Sequence, residues 1–294
     1  MRTLIEVLGQ VQSEGTAIGH FNVADLVLLK GVIGAARELN APVIVGASEG
    51  ERDFVGTRQL AAVVKSLREE FEFPIFLNAD HTHSMQKAME AANAGFDAVV
   101  FDLSTLPLEE NVKQTKAAVE ALKSVNPEIL VEGEIGDIGS GSEIHDVKRA
   151  PKLTTPAEAR QFVEATRVDI LAPSVGNAHG MRREMVAGAE KKRLNIERIR
   201  EIKEAVGIAL TLHGGSGTAD EDLRDAIRAG INIIHINTEL RVAWRRGLEE
   251  GLRQREDAVV PYKILPSAVA AVQQVVNSRL KLFTAPMVRR GAPG

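Results

Sequence analysis

Three histidines of this chain, His81, His179 and His213, lie at or shortly after apolar runs that are typical of β-strands. Imidazole is the commonest protein ligand for transition metals, and three neutral imidazoles with one open position form a typical catalytic zinc site. No local motif links these histidines, so the fold must bring them together. The chain contains no cysteine, and any metal must therefore bind to His, Asp or Glu.

Two acidic residues accompany the predicted metal ligands. Asp80 directly precedes His81, and a carboxylate beside a metal-bound oxygen is a natural proton carrier. The alternative interpretation is that Asp80 caps a helix opening at Ser84. Glu134 ends another predicted strand and is a candidate fourth or alternate metal ligand.

The elements that must position these residues alternate between short β-rich runs and amphipathic segments with helical spacing. The predicted strands are residues 17–23, 42–47, 74–80, 97–102, 128–134, 168–174, 208–213 and 231–238. The predicted helices are residues 24–39, 57–71, 84–95, 108–125, 155–166, 195–206 and 218–230.

Eight nearly continuous apolar strands separated by helices predict an α/β fold, a closed parallel (β/α)8 TIM barrel, rather than an open doubly wound sheet. No linker or low-complexity stretch interrupts the pattern, so we expect one domain over residues 1–294, with an extended or flexible tail after about residue 284. In such a barrel the catalytic and ligand-binding residues lie at the carboxyl ends of the strands, and the candidate residues of this chain are found there.

Two loops of this barrel have the composition of a phosphate site. Residues 213–217 (HGGSG) follow the seventh strand, and Asn237 and Thr238 end the eighth. Barrels of this type commonly bind phosphate there through backbone N–H groups, hydroxyls and a helix N-terminus. The basic stretch 182–193 is either a solvated helix or a clamp for a second phosphate.

The composition restricts the partners. A net charge of −4 over 294 residues leaves no general basic surface for nucleic acid. No apolar run reaches membrane-spanning length, and the acidic Glu6 interrupts the start of the chain where a signal peptide needs an apolar stretch. We therefore expect a cytoplasmic protein that acts on a small molecule and binds neither nucleic acid nor a membrane.

Six blocks of sequence, in order, resemble the class II, metal-dependent ketose-bisphosphate aldolases, which act on fructose or tagatose 1,6-bisphosphate. The blocks are residues 19–23 (GHFNV), 78–81 (NADH), 131–136 (VEGEIG), 175–180 (VGNAHG), 212–217 (LHGGSG) and 237–241 (NTELR). The resemblance implies that His81, His179 and His213 hold Zn²⁺ and that Glu134 carries an alternate metal. It also implies that Asp80 is the acid/base acting on the aldehyde-derived hydroxyl.

The same resemblance implies a phosphate site and a substrate pocket. The positions that match phosphate-binding residues are Gly180, Gly214, Ser216 and Thr238. We expect the pocket to include Asn22, Ser48, His235 and Asn237. The resemblance also allows another divalent metal in place of zinc and an additional monovalent cation. It implies a homodimer or homotetramer.

Several residues depart from the family pattern. Within the eighth predicted strand, Ile233 stands for the usual lysine and His235 for the usual asparagine, and His20 replaces a small residue on the first strand. We expect His20 and His235 to pair in the lumen, either altering the ketose contact or serving as core residues. Thr82 replaces the usual glycine after His81, and the neighbouring His83 is a competing ligand or a loop residue.

The resemblance implies that the loop after the fifth strand supplies the base that takes the proton from dihydroxyacetone phosphate. Its acidic residue, Glu143, is offset by about one position from the family pattern, and it is our candidate for this base.

The leading function is an aldolase that uses a zinc-stabilised enediolate of dihydroxyacetone phosphate. The alternatives are an aldolase, isomerase or epimerase for a different sugar phosphate, and a non-catalytic phosphosugar-binding protein.

Overall fold

The computed structural model describes residues 2–136, 138–139, 141–145 and 152–285. Eight parallel strands form a closed barrel in the order β1-β10-β9-β7-β5-β4-β3-β2, and β6 and β8 form a separate two-stranded sheet. The strands are β1 (Ile18–Asn22), β2 (Val43–Ala47), β3 (Ile75–Thr82), β4 (Ala98–Phe101), β5 (Leu130–Ile135), β6 (Ile144–His145), β7 (Ile170–Pro173), β8 (Met181–Arg182), β9 (Ala209–Leu212) and β10 (Ile231–Ile236). The predicted (β/α)8 barrel is confirmed.

Most of the helices surround the barrel and bury apolar side chains against its outer surface. They are α1 (Leu4–Glu14), α2 (Leu26–Glu38), α3 (Glu49–Val55), α4 (Thr57–Phe71), α5 (Met85–Ala94), α6 (Leu108–Val125), α7 (Pro156–Thr166), α8 (Arg183–Val186), α9 (Ile196–Val206), α10 (Asp220–Ala229), α11 (Thr238–Gln254), α12 (Pro261–Ile264) and α13 (Pro266–Phe283). None of the helices in these described ranges is both long and apolar enough to cross a membrane.

Helix α1 closes the amino-terminal end of the barrel. Its apolar side chains, among them Leu4 and Val7, form one cluster with the lumen residues Ile18, Phe76 and Ile233 near the strand starts. The lysine-to-isoleucine departure at Ile233 thus contributes to this apolar layer. Because the layer is packed, polar chemistry is confined to the opposite, carboxyl end of the strands.

The sequence-based prediction missed several elements and misplaced several boundaries by one or two residues. The prediction kept Thr238 in the last strand, but β10 ends at Ile236 and Thr238 begins α11. The Ser216 hydroxyl accepts hydrogen bonds from the N–H groups of Asn237 and Glu239 and so stabilises this turn. The predicted helices also did not include α1, α3, α11, α12 or α13. Most of the predicted C-terminal tail, residues 286–294, lies outside the described residues.

Candidate metal centre and phosphate cradle

Four side chains converge at the carboxyl end of the barrel. His81 comes from β3, Glu134 from β5, His179 from the loop after β7, and His213 directly follows β9. One potential ligand atom of each lies within 4.8 Å of the others. The structure thus brings together all four residues that the sequence analysis proposed as metal ligands.

A backbone irregularity lets two consecutive residues face this centre. Strand β3 shifts register against β4 between Ala79 and Thr82, and His81 has a φ of +37°, which is uncommon for a residue other than glycine. In a regular strand Asp80 and His81 would point to opposite faces. Here Asp80 Oδ1 lies 3.9 Å from His81 Nε2.

Two carboxylates determine which ring nitrogen of His81 and which ring nitrogen of His213 is free to bind a metal. Asp102 Oδ2 lies 2.8 Å from His81 Nδ1, and Glu132 Oε1 lies 2.7 Å from His213 Nε2. Each carboxylate favours the tautomer with hydrogen on the nitrogen it contacts. The free nitrogens, His81 Nε2 and His213 Nδ1, then face each other at 3.1 Å.

Two lone pairs at this distance repel each other unless a cation lies between them or one ring is protonated. The buried His179 Nε2 and Glu134 Oε2 have no hydrogen-bond partner among the described residues. Buried polar atoms are normally paired, so these atoms are well suited to coordinate an ion. Three imidazole nitrogens and one carboxylate oxygen form a donor set that fits zinc and similar divalent metals.

The electrostatics of the centre agree with cation binding. Burial lowers the pKa of His81, but the charges of Asp80, Glu134 and Asp102 and the hydrogen bond to Asp102 outweigh it and raise this pKa to about 10. Burial, and then the charge of Asp102, raise the pKa of Glu134 to about 8. The site therefore attracts positive charge, and a divalent cation would compete with these protons.

Asp80 is almost fully buried and kept in its charged form. Its Oδ2 accepts a hydrogen bond of 2.8 Å from the Asn22 amide, and its Oδ1 lies 3.4 Å from His235 Nδ1. Burial raises the pKa of Asp80, but His81 and His235 more than offset this effect and hold the pKa well below its usual value. Asp80 is therefore unprotonated at neutral pH, which is the state that a general base requires. The helix-capping alternative is wrong, because the Ser84 side chain itself caps α5.

A cavity of about 310 Å³ opens above the centre. Of the predicted site residues, those that line it are Ser48, Asp80, His81, His179, Asn237 and Glu143. Glu143 is exposed at the rim. The other substrate-binding candidates, which are Asn22, Gly180, Gly214, Ser216, His235 and Thr238, are not among the lining residues.

Three of the four predicted phosphate-binding residues, Gly180, Gly214 and Ser216, lie together at the loops after β7 and β9, and Thr238 begins α11. Gly214 has a φ of +62°, and a Cβ there would approach the Ala178 carbonyl oxygen to 2.3 Å. Gly180 has a φ of +74°, and a Cβ there would meet the Glu143 carbonyl oxygen at 2.6 Å. Both positions therefore require glycine. The absence of a side chain at these two positions lets the two loops and the 141–145 segment lie in close contact.

Residues that the sequence analysis did not assign complete the site. Glu51 is buried and accepts hydrogen bonds from Asn22 at 2.8 Å, from Ser48 at 2.8 and 3.0 Å, and from Arg241 at 2.8 Å. Arg241 also donates to the Ser142 carbonyl oxygen at 2.9 Å. The capping-box pattern of Ser48 and Glu51 was the available signal for α3.

The departures from the family pattern have structural explanations. Thr82 is buried, and its hydroxyl accepts a hydrogen bond of 3.0 Å from the buried guanidinium of Arg52. His83 is exposed, and its Nδ1 lies 2.9 Å from the Asp102 carbonyl oxygen, so it does not join the four converging side chains.

In the basic stretch of residues 182–193, only Arg183–Val186 is helical. Lys192 is buried against the phosphate loops.

His20 and His235 form the pair expected from the sequence. They are register partners on β1 and β10, and their rings stack with centroids 3.5 Å apart and planes within 2°. His235 also stacks on His213 at 4.0 Å. A Cβ at Gly46 would lie 2.0 Å from His20 Cε1, so the stack occupies space that only glycine leaves free.

This stack predicts a specific sensitivity to acid. Burial lowers the pKa of His20 from 6.5 to about 4, so the unfolded chain binds a proton that the folded chain excludes between these pH values. The free energy of unfolding should fall by about 3 kcal/mol as the pH drops through this range. His20→Phe keeps a flat ring but cannot titrate.

Urea unfolding in EDTA at several pH values measures this effect without bound metal. The variant should lose about 3 kcal/mol less stability than the parent between pH 6.5 and 4. Equal losses in the two proteins would show that His20 is not the neutral buried group described above.

The comparisons with known proteins agree with one another over nearly the whole chain. The family model described as "Fructose-bisphosphate aldolase class-II" matches residues 2–286. A curated relative, "Probable fructose-bisphosphate aldolase" of Bacillus subtilis (strain 168), is 32% identical over 284 residues, covering 96% of each chain.

Solved structures show the same fold. The YdjI aldolase from Escherichia coli K12 superposes with a TM-score of 0.82 at 29% identity, covering 97% of this chain and 98% of that one. The fructose-bisphosphate aldolase (Fba) from Campylobacter jejuni gives a TM-score of 0.80 at 20% identity, covering 96% and 94% respectively, and supports the fold alone. With the family match over residues 2–286, these similarities confirm the resemblance read from the sequence: the chain is a class II aldolase, a carbon–carbon lyase of the class II fructose-bisphosphate aldolase family.

Proposed function

We propose that this aldolase cleaves or forms a phosphorylated ketose, with fructose 1,6-bisphosphate or tagatose 1,6-bisphosphate as its substrate. The observation that carries the proposal is the convergence of His81, His179, His213 and Glu134 within 4.8 Å, directly beside the carboxylate of Asp80. A phosphosugar-binding protein without activity has no need for a buried acid/base group next to a metal centre.

The three histidines would hold zinc, with Glu134 as a further or alternate ligand. The bound ion would supply Lewis-acid chemistry, stabilising negative charge that develops on the ketose oxygens. In the cleavage direction Asp80 removes the proton from the hydroxyl that becomes the aldehyde, and the carbon–carbon bond next to it breaks. In the synthetic direction the same group returns the proton.

Other residues of the chain bind and orient the substrate. Asn22 is held by both Asp80 and Glu51, and Ser48 and Asn237 line the cavity. Gly180, Gly214, Ser216 and Thr238 form the predicted phosphate cradle, whose binding energy positions the reacting carbons. Glu143, at the rim, is the candidate base that exchanges the proton of the three-carbon ketone phosphate.

The stack of His20 on His235 favours a second candidate, an aldolase or an isomerase or epimerase acting on a different sugar phosphate. His235 stands where the resemblance places an asparagine, and it contacts both Asp80 and His213. An imidazole there changes the hydrogen bonding of Asp80, which lines the cavity. If the pair alters the ketose contact, His235→Asn combined with His20→Ala should change the substrate preference.

A substrate panel tests the proposal. Zinc-reconstituted protein is incubated with both bisphosphates and with other ketose phosphates, before and after treatment with EDTA. We expect cleavage of one bisphosphate that EDTA abolishes and zinc restores. Cleavage that survives complete metal removal would contradict the metal mechanism, and zinc binding without turnover of any substrate would favour the phosphosugar-binding protein.

We also propose a cytoplasmic homodimer or homotetramer with no nucleic-acid or membrane partner. Support comes from the family resemblance, the net charge of −4 and large apolar side chains on the surface. Two of these are Phe54, 79% exposed, and Tyr262, 76% exposed.

A further inference from the structure

Lys192 lies at the back of the phosphate cradle with its amine enclosed by backbone oxygens. The side chain is buried, and Nζ lies within hydrogen-bond distance of four carbonyl oxygens, which share its three N–H donors. The N–O distances are 2.6 Å to Ala178, 2.6 Å to Gly180, 3.0 Å to Gly214 and 2.7 Å to Ser216. We call these four oxygens the carbonyl cage.

Burial lowers the pKa of Lys192 to about 7, but the geometry of the cage favours the charged amine. An ammonium group has three N–H donors and no acceptor, whereas a neutral amine would direct its lone pair at one of the oxygens. All the hydrogen bonds described for Nζ go to backbone carbonyls, and none goes to a carboxylate. A ring of backbone carbonyls is also the environment with which proteins replace the hydration shell of K⁺.

The position of the cage connects it to the site. Ala178 and Gly180 flank His179, and Gly214 and Ser216 follow His213, so the lysine joins the two loops that carry metal-ligand candidates. The backbone of Lys192 is fixed as well, because its N–H donates to the Gly217 oxygen at 2.9 Å and its carbonyl accepts from Ala219 at 3.2 Å. The charge is therefore held where three of the four predicted phosphate-binding residues meet.

We infer that Lys192 is a positioning residue that acts as a covalently attached monovalent cation. It assembles the cradle for the phosphate monoester of the substrate and gives the cradle positive charge without a bound alkali ion. Phosphate is a dianion near neutral pH, and a buried ammonium beside its binding loops favours it electrostatically. The inference rests on the proposed function only in taking the cradle to bind a phosphate group.

The experiment compares the parent with Lys192→Ala, which empties the cage, and Lys192→Met, which fills it with an uncharged chain. Lys191→Ala, at the exposed neighbouring position, is the matched control. The affinity for inorganic phosphate is measured by calorimetry on zinc-loaded protein in the chlorides of tetramethylammonium, sodium, potassium and ammonium. Melting temperatures are recorded in the same salts.

The parent and the Lys191→Ala variant should bind phosphate equally well in all four salts. In tetramethylammonium, Lys192→Ala should bind phosphate about tenfold to one-hundredfold more weakly, the usual effect of losing hydrogen bonds to a charged group. Potassium or ammonium should restore its affinity and raise its melting temperature, because either ion fits the empty cage. Lys192→Met should stay weak in every salt.

Three results would overturn the inference. One is parental affinity of Lys192→Ala in tetramethylammonium, and another is a folded Lys192→Ala that no small cation restores. The third is a rise in the phosphate affinity of the parent when potassium is added. This measurement needs no variant, so it remains decisive if Lys192→Ala fails to fold. Phosphate binding and melting do not depend on turnover, so failure here is distinguishable from failure of the proposed aldolase substrate.

Discussion

Replacing Asp80 with asparagine should lower kcat by about 10²- to 10⁴-fold, the usual contribution of a positioned general acid or base. The side chain keeps its size, and its oxygen can still accept the hydrogen bond from Asn22 described above. What it loses is the ability to take a proton. The strongly lowered pKa of Asp80 makes this carboxylate fully charged at neutral pH in the parent.

Two further measurements separate a catalytic loss from a structural one. Metal content should equal that of the parent, because Asp80 is not among the four converging ligand candidates. Asp53→Asn, the same change at an exposed residue on α3, should turn over substrate like the parent. A kcat within threefold of the parent for Asp80→Asn would exclude Asp80 as the acid/base.

Replacing Glu132 with glutamine should weaken zinc binding by about 10- to 100-fold, although Glu132 is not itself a proposed ligand. Glu132 is fully buried and accepts hydrogen bonds from His213 Nε2 and from the Thr211 hydroxyl. It keeps Nδ1 of His213 free for the metal. A glutamine can turn its amide N–H₂ toward Nε2 and stabilise the opposite tautomer, in which Nδ1 carries the hydrogen.

The dissociation constant is measured by competition with a chromophoric chelator, which does not depend on activity. Glu128→Gln, an exposed residue before the same strand, serves as the control and should bind zinc like the parent. If Glu132→Gln holds zinc as tightly as the parent, the tautomer of His213 is fixed by other means.

The sequence was sufficient for the barrel because each strand is a short apolar run and each intervening segment has helical spacing. It also placed the metal-ligand candidates at the strand ends, since parallel strands bring such residues to one face. The bulge at His81 was not readable in advance. The backbone brings both Asp80 and His81 to the metal centre with a left-handed residue inside β3.

The carbonyl cage around Lys192 had no sequence signal. Every residue contributes a backbone carbonyl, so nothing in residue types distinguishes the four that surround the amine. Lys192 was predicted only as part of a basic stretch, in which charge normally indicates a solvated surface. The burial of Arg52 likewise had no sequence signal. Its guanidinium is buried and donates hydrogen bonds to the backbone oxygens of Ala47 and Asp80. Whether Glu143 is the second base stays a prediction.

The close contact between His20 and Gly46 has a consequence for how this pocket can change. With His20 in place, any side chain at position 46 collides with its ring, since a Cβ there would lie 2.0 Å away. The two positions are therefore epistatic. A lineage can gain the histidine only after position 46 is glycine, and it must lose the histidine before that glycine can be replaced.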